Sequence, residues 1–276
     1  MNNMINLNLE KNKVVIFADI LGFSKKIRDI NEYQAEIQKN ISNKEQTNGC
    51  IKSLSNIYKI VTKIDNSDII QDCRDYKFAW LSDSIILISS YKNVGFILDR
   101  IANMSLLLST FNMLLRGGIS CGDLHDSDNI MGVPFIEAVE LEKEANYPRM
   151  LITEKNYTQI EPYFLGRYNI LKNYFKPIKK GDWFEFDFIE YNILGGLKNE
   201  LSTLILEKYV ELIENEIDTI KGNSRVSEKY LWLSKKLLSI TMNYAKDIDK
   251  KSDDFQNFKN SQDVKNHLTK YIADIL

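Results

Sequence analysis

Short β-branched runs alternate with stretches of helical spacing through the first two thirds of the chain, and beyond that the pattern is helical alone. Val14-Val-Ile-Phe-Ala18 is a continuous apolar run of the kind that fills a buried central strand. Asp19 ends that run, Gly22 permits a tight turn, and Phe23–Ile27 begins a helical pattern. Segment 24–64 reads as mostly helical, broken by the polar stretch Asn40–Gly49. Tyr76–Leu81 and Ser84–Ser89 read as a hairpin turning at Ser82-Asp83, followed by a helix over Val94–Leu114. Leu115–Cys121 is a short strand whose Gly117 and Gly118 predict the close approach of another backbone or a ligand. Gly122–Met131 reads as a loop. Pro134–Asn146 reads as a helix with its proline in the first turn, and Met150–Thr153 as a strand. Phe175–Lys180 and Trp183–Ile189 bracket a Lys-Gly-Asp turn, a second hairpin. Three amphipathic helices are predicted over Leu197–Lys221, Glu228–Lys250 and Gln262–Leu276.

The order β-α-β-β-α-β, then α-β, predicts an α+β, ferredoxin-like domain over residues 1–192 and an all-helical extension over 193–276. The extension carries no Gly-rich or Cys/His-based site signal, so it reads as a packing and dimer-supporting appendage. A net charge of −2 gives no bulk basic field for nucleic acid. No apolar run approaches the roughly 18 residues of a membrane span. The Asn-rich start has no signal-peptide core. Cys50, Cys73 and Cys121 are widely spaced, which argues against a zinc site or disulfide framework and fits a reducing cytoplasm. His125 and His267 read as surface or loop residues.

The candidate chemistry gathers at strand ends. A strand, a turn and a helix start after Asp19 bring several backbone N–H groups to one point, a ready site for phosphate. Asp83, in the turn of the first hairpin, is a second carboxylate on a neighbouring strand, and two such carboxylates can share a metal pair. Each residue alone has a plainer reading: Asp19 as a helix cap, Asp83 as turn chemistry, Arg116 as a surface arginine. Their order along the chain is what favours a site.

These residues resemble a class III nucleotidyl cyclase. That family has an F-x-D-I-x-G-F-[ST] strand-turn-helix, here Phe17-Ala-Asp19-Ile-Leu-Gly-Phe-Ser24. Its second metal aspartate sits in a Gly-Asp hairpin turn, here Ser82-Asp83. Its phosphate-binding arginine opens an R-x-G-I-x-x-G strand, here Arg116–Gly122, and a glycine and helix follow, here Gly132–Ala138 and Leu141–Ala145. The likeness spans about residues 13–190. The departures are informative. The adenine-reading Lys and Asp or Thr of the purine cyclases are replaced by Ala79 and Asn129, and the Asn and Arg of the later helix by Ile136 and Glu140. With the metal aspartates kept, this combination, followed by Tyr-Pro-Arg149, resembles the pyrimidine cyclases of bacterial anti-phage Pycsar systems.

The resemblance implies cyclisation of UTP or CTP to the 3′,5′-monophosphate with release of pyrophosphate, as a messenger for a separate cyclic-nucleotide-gated effector. It implies two Mg²⁺ or Mn²⁺ ions held by Asp19, Asp83 and the Ile20 backbone. Ile20, Leu21, Gly22 and Phe23 would cradle the triphosphate. Arg116 would contact it through its planar fork, as Lys179 or Lys180 would in place of the family's late lysine. Ala79 and Asn129 would face the base. Sites of this family lie between two catalytic domains, so a head-to-tail homodimer is implied. Arg149 stands either for the lost helix arginine or as a cap, and Glu140 and Glu142 read as solvent-facing or paired. A purine cyclase with an unusual base site and a non-catalytic nucleotide-binding module remain alternatives. A diguanylate cyclase is disfavoured because Gly117-Gly-Ile does not match its signature.

Overall fold

The computed structural model describes residues 9–24, 28, 75–125, 129–178, 182–195, 199–220, 224–248, 266 and 269. The expectations for most of segment 24–64, for Cys50, Cys73 and His267, for Lys179 and Lys180, and for most of the last helix lie outside them.

Among the described residues the chain forms an α+β fold around one mixed sheet of seven strands in the order β2-β3-β1-β4-β5-β7-β6. The strands are β1 (Glu10–Leu21), β2 (Lys77–Leu81), β3 (Ser84–Ser90), β4 (Leu114–Leu124), β5 (Met150–Thr153), β6 (Phe175–Ile178) and β7 (Trp183–Phe186). The pair β4–β5 is parallel, and the other neighbours are antiparallel. Helix α1 (Val94–Ser109) follows β3 and α2 (Val133–Ala145) follows β4. Helix α3 (Glu154–Ile160) follows β5, and α4 (Asn199–Ile220) and α5 (Ser224–Ile248) form a C-terminal hairpin.

The differences from the predicted bounds have local causes. β1 runs two residues past Asp19, because Ile20 and Leu21 still pair with Leu115 and Leu114. α1 stops at Ser109 rather than Leu114. Asn112 turns the chain at φ 56°, a left-handed conformation that a helix cannot hold. The buried Leu114 and Leu115 beyond it already belong to β4. Gly122 and Asp123 lie in β4 instead of a loop. β7 ends at Phe186, short of Ile189, because the Asp187 side chain accepts a hydrogen bond from the Glu190 N–H (3.0 Å) and starts a helical turn. His125 is exposed in the loop after β4, as predicted.

Both faces of the sheet are covered. One carries Val14, Ile16, Ala18, Ile85, Leu87 and Ile119 into the main core. That core also takes Ile97 and Ile101 of α1 and Tyr209, Ile213, Leu233 and Leu237 of the C-terminal hairpin. The other face carries Val15, Ile86 and Ile88 against Ala138 of α2. Among the described residues no helix is long and apolar enough to cross a membrane.

The glycine pair in β4 has the predicted consequence. A Cβ at Gly118 would lie 2.6 Å from Leu141 Cβ and against the Ala138 carbonyl oxygen, so α2 rests directly on the strand backbone. A Cβ at Gly117 would meet the Met150 sulfur at 2.5 Å. Gly118→Ala is therefore expected to destabilise the fold by about 2–3 kcal/mol through overpacking, read as a lower urea midpoint at unchanged slope.

Candidate functional site

The site grows from the register of the central strands. In β1, Asp19 stands opposite Ser84 of β3 on one side and Arg116 of β4 on the other. The Asp19 carboxylate and the Arg116 guanidinium therefore meet across one ladder rung. Arg116 Nη2 lies 3.2 Å from Asp19 Oδ2, and Nε donates to the same oxygen at 3.3 Å. Asp83 comes to the same place by a different device. The Ile20 N–H donates to the Asp83 carbonyl at 2.7 Å, tying the hairpin turn to the strand end.

The turn itself is shaped for this. Ser82, where the cyclases have glycine, takes φ 56°. Its carbonyl accepts the Trp80 indole N–H at 2.7 Å, a brace that holds a conformation non-glycine residues disfavour. Gly22, just past β1, takes φ 89°, which only glycine adopts freely. Phe23 and Ser24 are helical, so the predicted strand, turn and helix start follow Asp19 as read from the sequence.

The electrostatics are those of crowded carboxylates. Burial pushes the Asp19 carboxyl above its ordinary range, Arg116 pulls it back, and the Asp83 charge pushes it up again. Asp83 therefore acts on Asp19 through its charge as well as through the backbone. Two half-buried carboxylates that repel each other, beside the Ile20 main chain, suit a divalent cation. Among the described residues no group of three or more His, Cys, Asp or Glu side chains forms a ready-made metal cage. A shell of one or two carboxylates completed by phosphate oxygens and water is the usual arrangement for Mg²⁺.

Glu142 is the residue that sequence reading undervalued. It is 6% exposed, on the face of α2 that presses on the sheet, with its Oε1 2.7 Å from Arg116 Nη2. That oxygen receives no hydrogen bond of good geometry, so the contact is an ion pair without a directed donor. Burial raises its pKa, Arg116 lowers it, and Asp19 raises it. Its signal was present in the sequence: Ala138, Leu141, Glu142 and Ala145 share one helical stripe, which places a carboxylate among core positions. Glu140, by contrast, is exposed, as is Ile136 at 57%.

Other predicted residues separate into two groups. Ala79 and Ile130, the neighbour of Asn129, both pack on the cluster of Val15, Ile86 and Ala138, so the two predicted base-facing segments share one face of the sheet with Asp19. Arg149 is committed elsewhere. Its Nε donates to the Ala145 carbonyl at 2.9 Å, capping α2, and its Nη1 lies 3.3 Å from Glu185 Oε2. It therefore serves as a cap and tether. Comparison with protein-family models, curated proteins and solved structures found no match to this chain.

Proposed function

We propose that the chain is a pyrimidine nucleotide cyclase of the class III type, converting UTP or CTP to the 3′,5′-cyclic monophosphate and pyrophosphate. The observation that carries this reading is the meeting of Asp19 and Asp83, joined through the Ile20–Asp83 hydrogen bond and facing Arg116 across the rung. The order β2-β3-β1-β4, with antiparallel neighbours, supports the ferredoxin-like catalytic domain that this chemistry uses.

In this reading Asp19, Asp83 and the Ile20 backbone hold Mg²⁺ or Mn²⁺, which when bound acidifies the ribose 3′-hydroxyl and neutralises phosphate charge. The chain's own residues do the positioning. The turn at Gly22 offers backbone N–H groups to the triphosphate from Leu21 to Phe23. Arg116, held between Asp19 and Glu142, presents a planar fork to phosphate oxygens. Ala79 and the Asn129–Ile130 turn leave the adenine edge unread and make room for a smaller base. Exposed Leu81 (61%) and Val133 (61%), with Met131 and Ile136, fit a second copy of the chain closing over the site as a homodimer. The cyclic product would act on a separate effector in anti-phage defence.

One observation favours a second reading. The Arg116 guanidinium is engaged by two carboxylates, and the helix positions that carry Asn and Arg in active cyclases are Ile136 and Glu140, so the chain would bind nucleotide without turning it over. Incubation of the purified chain with ATP, GTP, CTP and UTP in Mn²⁺, with products identified by mass spectrometry, separates the two. A cyclic pyrimidine monophosphate that disappears in Asp83→Ala is the expected result. Nucleotide binding with no pyrophosphate released by any substrate selects the binding module, and cyclic AMP or GMP would overturn the base assignment alone.

A further inference from the structure

The C-terminal hairpin is fastened to the sheet domain along one stripe of α5. Trp232 lies flat on Tyr147, with 5.4 Å between ring centroids and 1° between planes. One turn further, the Lys236 ammonium sits 2.6 Å from Glu185 Oε1 and 2.5 Å from Asp187 Oδ2, at the end of β7. Lys229 lies on the same stripe, one turn before Trp232, since residues at these spacings stack on one helical face. Two fixed points on a rigid helix leave the direction of the third little freedom. Continued by one more turn, the stripe points from β7 and the segment after α2 toward the Asp19–Arg116–Glu142 cluster, whose charges act on Lys229. Lys229 is half-buried. Burial and Arg116 push its pKa down, while Asp19 and Glu142 raise it.

The carboxylates of Asp19, Asp83 and Glu142 face the guanidinium of Arg116, with Lys229 and the exposed Arg225 one turn before it nearby. Arg116 is shared between Asp19 and Glu142, and Glu142 Oε1 is buried without a directed donor. An arriving triphosphate would draw the Arg116 fork away from Glu142, leaving a buried carboxylate uncompensated, which is costly. A lysine ammonium on its flexible four-carbon stem carries three donors, so it can hold the carboxylate and the anion at once.

We infer that Lys229 is a phosphate-binding residue of this same site, contributed by the C-terminal hairpin, which joins Arg116 as a second cation and takes over Glu142 when Arg116 engages phosphate. This rests on the nucleotide-site reading above and extends it to a residue of the helical extension.

The test uses the full chain with Mg²⁺ and two probes, inorganic tripolyphosphate and UTP, with binding measured by calorimetry. Lys229→Met is expected to weaken both by about tenfold to a hundredfold, the worth of one charge-assisted contact, with Lys229→Arg restoring most of it. Lys235→Met, an exposed position on the same helix, is expected to bind like the wild type. On the unmodified chain, acetylation of Lys229 by a small reagent, read by mass spectrometry, is expected to fall severalfold when tripolyphosphate is added, while that of Lys235 stays constant. This measurement stands even where Lys229→Met fails to fold. Wild-type binding of both probes with no effect of Lys229→Met and no protection of Lys229 overturns this inference and leaves the site reading intact. No wild-type binding of either probe overturns both.

Discussion

Asp19→Asn is expected, on the proposed cyclase reading, to lower kcat/KM for the pyrimidine triphosphate by about a thousandfold or more, equivalent to about 4 kcal/mol of transition-state stabilisation. Asn keeps the shape of the side chain and removes its charge. The β1 ladder on both sides of residue 19 is made by the backbone and is untouched. Arg116 retains Glu142 as an ion-pair partner, so the substitution leaves no buried guanidinium unpaired. Stability is expected to hold or rise, because burial and the Asp83 charge already disfavour the ionised Asp19. Loss of activity with an unchanged or higher melting temperature marks a residue kept for chemistry at some expense to the fold. Product formation by mass spectrometry and a thermal melt on the same preparation check both halves. A variant that melts much earlier, or that keeps full activity, would place Asp19 among the structural residues.

Lys236→Met is expected to destabilise the fold by about 3–5 kcal/mol. The ammonium lies between Glu185 and Asp187, whose side chains are 7% and 2% exposed. Burial works against the Lys236 charge, but the two carboxylates outweigh it and raise its pKa. Without Lys236, Arg149 at 3.3 Å from Glu185 is the neighbouring cation that the fold still offers. Among the described residues Asp187 then keeps the Glu190 N–H, and burial already pushes its carboxyl up to about 6 in the intact protein. Removing its positive partner raises it further. A carboxyl whose folded pKa exceeds its unfolded value adds stability below the unfolded value and loses it as pH rises through the folded one. The deficit of Lys236→Met is therefore expected to be smaller near about pH 5 and largest near about pH 8. Urea denaturation of wild type and variant at the two pH values reads it directly. A deficit that grew toward acid would mean that the carboxylates, and not their lost partner, control the docking of α5.

The central elements were legible because they rest on local pattern. A five-residue apolar run announced β1, a Ser-Asp pair between strand-like segments announced the first hairpin, and the glycine pair announced a close approach, made by α2 at Gly118 and by Met150 at Gly117. Asp19 and Asp83 could be picked out because each closes a strand-like segment, and Arg116 through the resemblance of the strand it opens. The course of α1 was misread at its end because Met113 and Leu114 are as apolar in a buried strand as in a helix, and Asn112 separates the two. Glu142 and Lys229 were missed as site residues for a different reason. A charged residue on a helix declares its partner only when another element is packed against it, and sheet packing and the fastening of α5 are tertiary facts. The extension, read as a packing appendage, does fill the core, and its Lys229 also lies within the electrostatic reach of Asp19 and Glu142.

The pairing of β1 has a consequence for synthesis. β1 is an inner strand of the sheet, and its partners are β3 and β4, from Ser84 to Ser90 and from Leu114 to Leu124. When β1 leaves the ribosome neither exists. At about 5–20 residues per second, several seconds pass before β3 has emerged and several more before β4 can close the other edge. Throughout that interval a strand with a run of buried apolar side chains offers two open edges. Residues 14–21 are thus an aggregation-prone segment of the nascent chain until β3 and β4 pair with them.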